Sequence, residues 1–142
     1  MADGGAISTA RMLAPGVGRG EAIVLTEPLS LWGGLDAQTG TVIDVHHPQR
    51  GISLARRVVV MPSGRGSSSS STVLAEAIRT GTAPAAVVLA EPDPIVALGA
   101  IVAAELYGIE VPVVVSSLPA LTTGQSVTVR ASANGHVEVE IR

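Results

Sequence analysis

Arg57-Val58-Val59-Val60-Met61-Pro62-Ser63-Gly64-Arg65-Gly66-Ser67-Ser68-Ser69-Ser70-Ser71 is the stretch on which the fold turns. A continuous apolar run closed by proline is the pattern of a strand covered on both faces. After the glycines and serines, Val73, Leu74, Ala77 and Ile78 recur at helical spacing, and Gly81 offers a C-terminal stop. The stretch therefore reads as strand, glycine-serine loop, helix. Downstream, Ala85 to Ala90 is a second buried strand, and Asp93-Pro94 starts a helix, with Asp as N-cap and Pro in the first turn. That helix runs to Tyr107 and stops at Gly108, and Val111 to Val115 makes a third apolar strand. Strand-helix-strand-helix-strand predicts a parallel α/β core. Upstream, Ile23 to Leu25 and Val42 to Val45 read as half-buried strands, separated by the glycine-rich series Leu31-Trp32-Gly33-Gly34-Leu35-Asp36 and Thr39-Gly40. Toward the C-terminus, Val127, Val129 and Ala131, then Val137, Val139 and Ile141, alternate with other residues on either side of Asn134-Gly135, which predicts a β-hairpin with a type I′ turn. The expectation is one α/β domain over residues 1–142, a mixed sheet or barrel with flanking helices, with 1–15 a loose N-terminal segment.

Composition narrows the function. The chain has 142 residues, 46% hydrophobic and 15% charged, which excludes a disordered protein. Trp32 and Tyr107 are the only aromatic residues, so Val, Ala, Leu and Ile must fill the core. A formal net charge of -3, with nine Arg, no Lys and no basic stripe, argues against a nucleic-acid partner. Without Cys there is no disulfide, no thiol nucleophile and no cysteine ligand for a metal or cluster. The apolar run from Ile95 to Ala104 is about half the ~20 residues of a membrane span, and Met1 to Leu13 lacks a signal-peptide core. No membrane association and a cytoplasmic location are expected.

The residues that carry chemistry lie in the same opening stretch. A loop entering a helix N-terminus exposes unpaired N–H groups at the positive end of the helix dipole, which attracts carboxylate or phosphate. Gly64 and Gly66 let the backbone approach a ligand, Arg65 adds an anion-binding fork, and Ser67 to Ser71 add hydroxyls. The same composition also fits a Ser-rich linker or a helix cap, and it is not a nucleotide-binding loop, having no Gly-Lys-Ser/Thr. His46 and His47 are adjacent, so in a strand they face opposite ways and do not share a metal. One of them facing a cleft is a candidate for binding substrate or moving a proton, beside the simpler reading of a surface His. His136 beside the hairpin reads as structural, and Trp32 as a core plug or a contact for a partner subunit.

The series Leu31-Trp32-Gly33-Gly34-Leu35-Asp36, Thr39-Gly40, Asp44, His47-Pro48, Gly51, followed by Pro62-Ser63-Gly64-Arg65-Gly66-Ser67-Ser68, closely resembles the small swivelling domain of aconitase X, over about Gly16 to the C-terminus. The resemblance implies a swivelling β/β/α domain of the aconitase superfamily, here a separate small subunit that closes over a large subunit carrying an iron-sulfur cluster or divalent metal. It implies dehydration of a hydroxy acid, in which a proton leaves the carbon beside a carboxylate and a hydroxyl departs. In aconitases the base is a serine in a Gly-x-Gly-Ser-Ser loop. Carried over by position, that role falls on Ser67, with Gly64, Arg65, Gly66, Ser68 and His47 as substrate-binding residues. Two departures stand out. Ser69 occupies the place after the serine pair where aconitases carry Arg, and Ala55-Arg56-Arg57 stands where a Gly is expected before the strand.

Family members resemble either cis-3-hydroxy-L-proline dehydratase or phosphomevalonate dehydratase. The Arg-Gly-Ser-Ser-Ser-Ser-Ser form favours the first. Two readings from other classes stand beside these. One is a non-catalytic or regulatory module that captures a small anion, and the other is a structural partner that depends on Trp32.

Overall fold

The structure, a computed structural model, describes residues 10–116 and 121–142. Among these residues seven strands form one mixed sheet, in the order β1 (Arg11–Ala14), β7 (Val113–Val115), β6 (Ala86–Leu89), β5 (Val58–Met61), β2 (Gly16–Val24), β8 (Ser126–Ala131), β9 (Val137–Ile141). Its parallel centre is β2 (Gly16–Val24), β5 (Val58–Met61), β6 (Ala86–Leu89) and β7 (Val113–Val115). Helices α2 (Ser70–Thr80) and α3 (Pro94–Tyr107) make the crossovers between β5, β6 and β7. Both end as the sequence predicts, on Gly81 at φ 81 and Gly108 at φ 68. At the start of α3, the Asp93 side chain accepts hydrogen bonds from the N–H groups of Ile95 and Val96. The hairpin β8 (Ser126–Ala131) and β9 (Val137–Ile141) extends the sheet antiparallel from β2.

The β2 strand explains why the sheet curls into a half-barrel. Its first six residues, Gly16 to Glu21, pair with β8, whereas Ala22 to Val24 pair with β5. Here the backbone passes so close to β6 that a Cβ on Gly18 would fall 1.9 Å from the Ala85 carbonyl oxygen, so only glycine fits. Strand residues then alternate between two cores. Val59, Val87, Leu89 and Val113 pack with Leu74, Ala77, Ile78, Val96 and Ala100 of the helices. Val58, Ala86, Val88 and Val114 pack with Val127, Val129, Val137 and Val139 of the hairpin. Burial on both faces is what the unbroken apolar strands demand. On β8 and β9, Arg130 Nη1 lies 3.4 Å from Glu138 and 3.5 Å from Glu140.

Residues 26–55 form a flap over the helical side. It contains a short kinked turn α1 (Leu31–Gly34), whose Trp32 and Gly33 leave helical angles, and a ribbon of β3 (Leu35–Asp36) with β4 (Thr41–Val42). Leu29, Leu35, Val42 and Leu54 anchor it in the core.

Three expectations change. Residues 11–14 are not loose, because Arg11–Ala14 forms β1, antiparallel to β7, with Ala14 buried. Residues 1–9 of that segment lie outside the described residues. The strand expected over Val42 to Val45 ends at Val42, since the Asp44 side chain accepts the His46 N–H and turns the chain. The hairpin turn is not type I′, because Asn134 does not take the positive φ that type requires. Ser132 and His136 close a three-residue loop with Gly135 at φ 96, a type I turn followed by a bulge.

The missing glycine before β5 has a structural meaning. Arg56 sits at φ 59 and is the non-glycine residue with positive φ among those described. Left-handed backbone costs a side-chain-bearing residue about 1–2 kcal/mol, partly offset by the extra unfolded-state freedom of glycine. Arg56→Gly is therefore expected to stabilise the fold by about 1 kcal/mol, measured as a rise in the denaturant midpoint.

Candidate active site

The C-terminal ends of β5 and β6 point to the same edge of the sheet, where α/β folds bind ligands. The loops leaving them, 62–69 and 90–93, bring the N-termini of α2 and α3 to one cleft of about 160 Å³. Leu29 and Leu31 of the flap wall it on one side, and Ile95 and Val96 of α3 on another. Its polar lining is Gly64, Arg65, Gly66, Ser67, Ser70 and Asp93.

Ser67 sits in the turn that leads into α2, two residues before the N-cap Ser69. Its Oγ accepts the Ser69 N–H at 3.0 Å and its carbonyl accepts the Ser70 N–H at 3.0 Å. An oxygen that accepts a backbone N–H at the positive end of a helix is better able to carry negative charge. Gly66 turns the chain at φ 90, and a Cβ there would fall 2.7 Å from Ser30 Oγ. Gly64 is bare for a different reason, since a Cβ would fall 2.0 Å from Asp93 Oδ2. It also bridges to Leu29, joining the loop to the flap. Arg65 reaches across the same junction, donating from Nη2 to the Pro28 carbonyl at 3.0 Å. Ser70 is buried, and its Oγ accepts the Trp32 N–H at 3.0 Å. That bond ties Trp32, 58% exposed, to the cleft wall.

The structure thus brings together Gly64, Arg65, Gly66 and Ser67. Ser68 is exposed and does not line the cleft; its carbonyl accepts the Ser71 hydroxyl. His47 is also absent from the cleft walls, and it is buried. Its Nδ1 accepts the Gln49 N–H, which leaves Nε2 to donate to the Glu27 carbonyl at 3.1 Å. With both nitrogens engaged, His47 braces the flap and has no free group for a substrate. The sequence reading took Ser70 only as one of the Ser67 to Ser71 hydroxyls and Asp93 only as a helix cap, and the structure makes both of them walls of the cleft. The available signal for Asp93 was topological, since the loops after neighbouring parallel strands converge at one sheet edge.

The donor set does not fit a cluster or catalytic metal ion. There is no Cys, and among the described residues no three His, Cys, Asp or Glu side chains meet. None of the described helices is long and apolar enough to cross a membrane.

The bracing role of His47 is open to a direct measurement. His47→Ala is expected to lower stability by about 1–3 kcal/mol, by orphaning the Glu27 carbonyl and Gln49 amide, while leaving KM of any reconstituted activity within about twofold. Thermal unfolding and steady-state kinetics check the two parts.

Comparison with known proteins agrees with this geometry. The aconitase X swivel domain model matches residues 7–139. Cis-3-hydroxy-L-proline dehydratase of Pseudomonas aeruginosa is 50% identical over 103 residues, covering 72% of this chain and only 18% of that protein. The phosphomevalonate dehydratase small subunit of Thermococcus gammatolerans is 39% identical over 131 residues, covering 91% of this chain and 94% of that one. The crystal structure of Thermococcus kodakaraensis aconitase X (holo-form) superposes with a TM-score of 0.80 at 34% identity, covering 95% of this chain and 99% of that one. With a curled mixed sheet, a Gly-Arg-Gly-Ser loop in a cleft, and relatives named as dehydratases, this chain belongs to the aconitase X swivel-domain family.

Proposed function

We propose that this chain is the small swivelling component of an aconitase X type hydro-lyase that dehydrates cis-3-hydroxy-L-proline, with Ser67 as the base. The observation that carries the reading is Ser67 Oγ in the cleft, accepting a main-chain N–H at the start of α2. A serine oxygen removes a carbon-bound proton only when its anionic form is stabilised. The Ser69 N–H and the dipole of α2 supply that stabilisation without any rearrangement. In the reaction, the C–H bond beside the substrate carboxylate breaks and its proton passes to Ser67 Oγ. The electron pair becomes the new C=C bond, and the hydroxyl on the adjacent carbon leaves as hydroxide, which takes up the proton that Ser67 Oγ received and departs as water, returning the serine to its anionic form. Gly64 and Gly66 give the main chain room at the substrate, and Arg65 presents its remaining guanidinium N–H groups to the carboxylate. Ser68, exposed beside Ser67, adds a contact to the substrate once the large subunit covers the cleft.

Among the described residues an iron-sulfur cluster or divalent metal finds no donor set, and it is assigned to a large subunit. Trp32 stands beside the cleft with most of its surface in solvent, and we assign it to the contact with that subunit. The 50% identity to a hydroxyproline dehydratase supports that substrate. End-to-end coverage of phosphomevalonate dehydratase small subunits supports mevalonate 5-phosphate as the second candidate.

Two variants of the pair reconstituted with its large subunit test the reading. Ser67→Ala is expected to lower kcat by about 10²–10⁴-fold with little change in KM. Turnover within threefold of the parent would remove Ser67 as the base. Trp32→Ala is expected to weaken the subunit pairing by about 2 kcal/mol or more, read by calorimetry, with the melting temperature of the isolated chain unmoved.

A further inference from the structure

Of the charged groups lining the cleft, Arg65 is the cation and Asp93 the anion. Helix capping uses only half of the Asp93 carboxylate. Oδ1 accepts the N–H groups of Ile95 at 2.9 Å and Val96 at 3.3 Å. Oδ2 makes no hydrogen bond, and Asp93 enters no ion pair among the described residues. Its position is set by Gly64, since any side chain there would occupy the place Oδ2 holds. The same glycine belongs to the loop that presents Ser67 and Arg65. A cap alone requires one oxygen, and asparagine caps as well as aspartate. The α3 N-terminus stabilises the Asp93 charge through Oδ1, but Oδ2 lies in a cleft that must also receive a carboxylate, and a ligand cation beside it offsets the repulsion between the two.

We infer that Asp93 is a specificity-determining residue, its Oδ2 receiving a substrate ammonium while Arg65 and the α2 N-terminus receive the carboxylate. The inference rests on the proposed dehydration and names the substrate class: an amino acid whose amine and carboxylate share one carbon. Such a zwitterion matches one cation and one anion in a single cleft. A phosphorylated hydroxy acid brings only negative groups, and Asp93 repels it.

The test uses the reconstituted complex and the isosteric variant Asp93→Asn, which keeps the cap and the volume. The probes are L-proline and cyclopentanecarboxylate, which replaces the ring ammonium by a methylene. Calorimetric binding to the parent complex is expected to favour L-proline by about tenfold or more, and Asp93→Asn is expected to bring the two within about threefold. In the same variant KM for cis-3-hydroxy-L-proline rises by about tenfold or more while kcat changes less. Unchanged discrimination and KM in a variant of normal melting temperature would overturn the role of Asp93 and leave the dehydratase reading intact. A parent complex that dehydrates mevalonate 5-phosphate, ignores hydroxyproline and binds both probes equally would overturn the role of Asp93 together with the proposed substrate.

Discussion

The candidate site depends on β5 and β6 lying side by side and parallel, in register from Val58 with Ala86 to Met61 with Leu89. That pairing ends both strands at the same level, so the two following loops emerge as neighbours. Right-handed crossovers then place α2 and α3 on the same face, with both N-termini at that edge. Ser67 from one loop and Asp93 from the other meet in one cleft although twenty-six positions separate them in sequence. A slip of one residue would turn Val59 and Val87 away from the helices and dissolve the core that holds the loops.

The near absence of aromatic residues follows from the two-sided burial. Val58, Ala86, Val88 and Val114 lie between the sheet and the returning hairpin, where the curl leaves little depth. Small β-branched residues fill such a layer and favour strand geometry at the same time. The one Trp is not in this core but beside the cleft, with most of its surface in solvent.

Much of this was legible in the sequence. Three unbroken apolar runs, Asp93-Pro94, and glycines at 81 and 108 sufficed for the parallel core, because each signal is local. The Gly64-Arg65-Gly66-Ser67 loop was legible for the same reason. What was not legible depends on distant partners. Arg11–Ala14 becomes a strand only because β7 offers it an edge. His47 looks like any surface histidine until the Glu27 carbonyl and Gln49 amide close on its two nitrogens. Ile43 and Val45 carry strand propensity, yet the strand stops at Val42, the Asp44 side chain turns the chain, and both stay exposed. Asp93 was read correctly as a cap, and its second oxygen acquires meaning only once Gly64 is beside it.

The charge pattern of the terminal hairpin bears on how such a sheet stays single. Among the described residues β9 is an edge of the sheet, and the main-chain groups on its outer side are what an approaching strand pairs with. Glu138 and Glu140 alternate along it, and both lean on Arg130 of β8. A second copy approaching edge to edge would bring these carboxylates toward its own. Like charges spaced along an edge strand in this way disfavour its pairing with an identical edge.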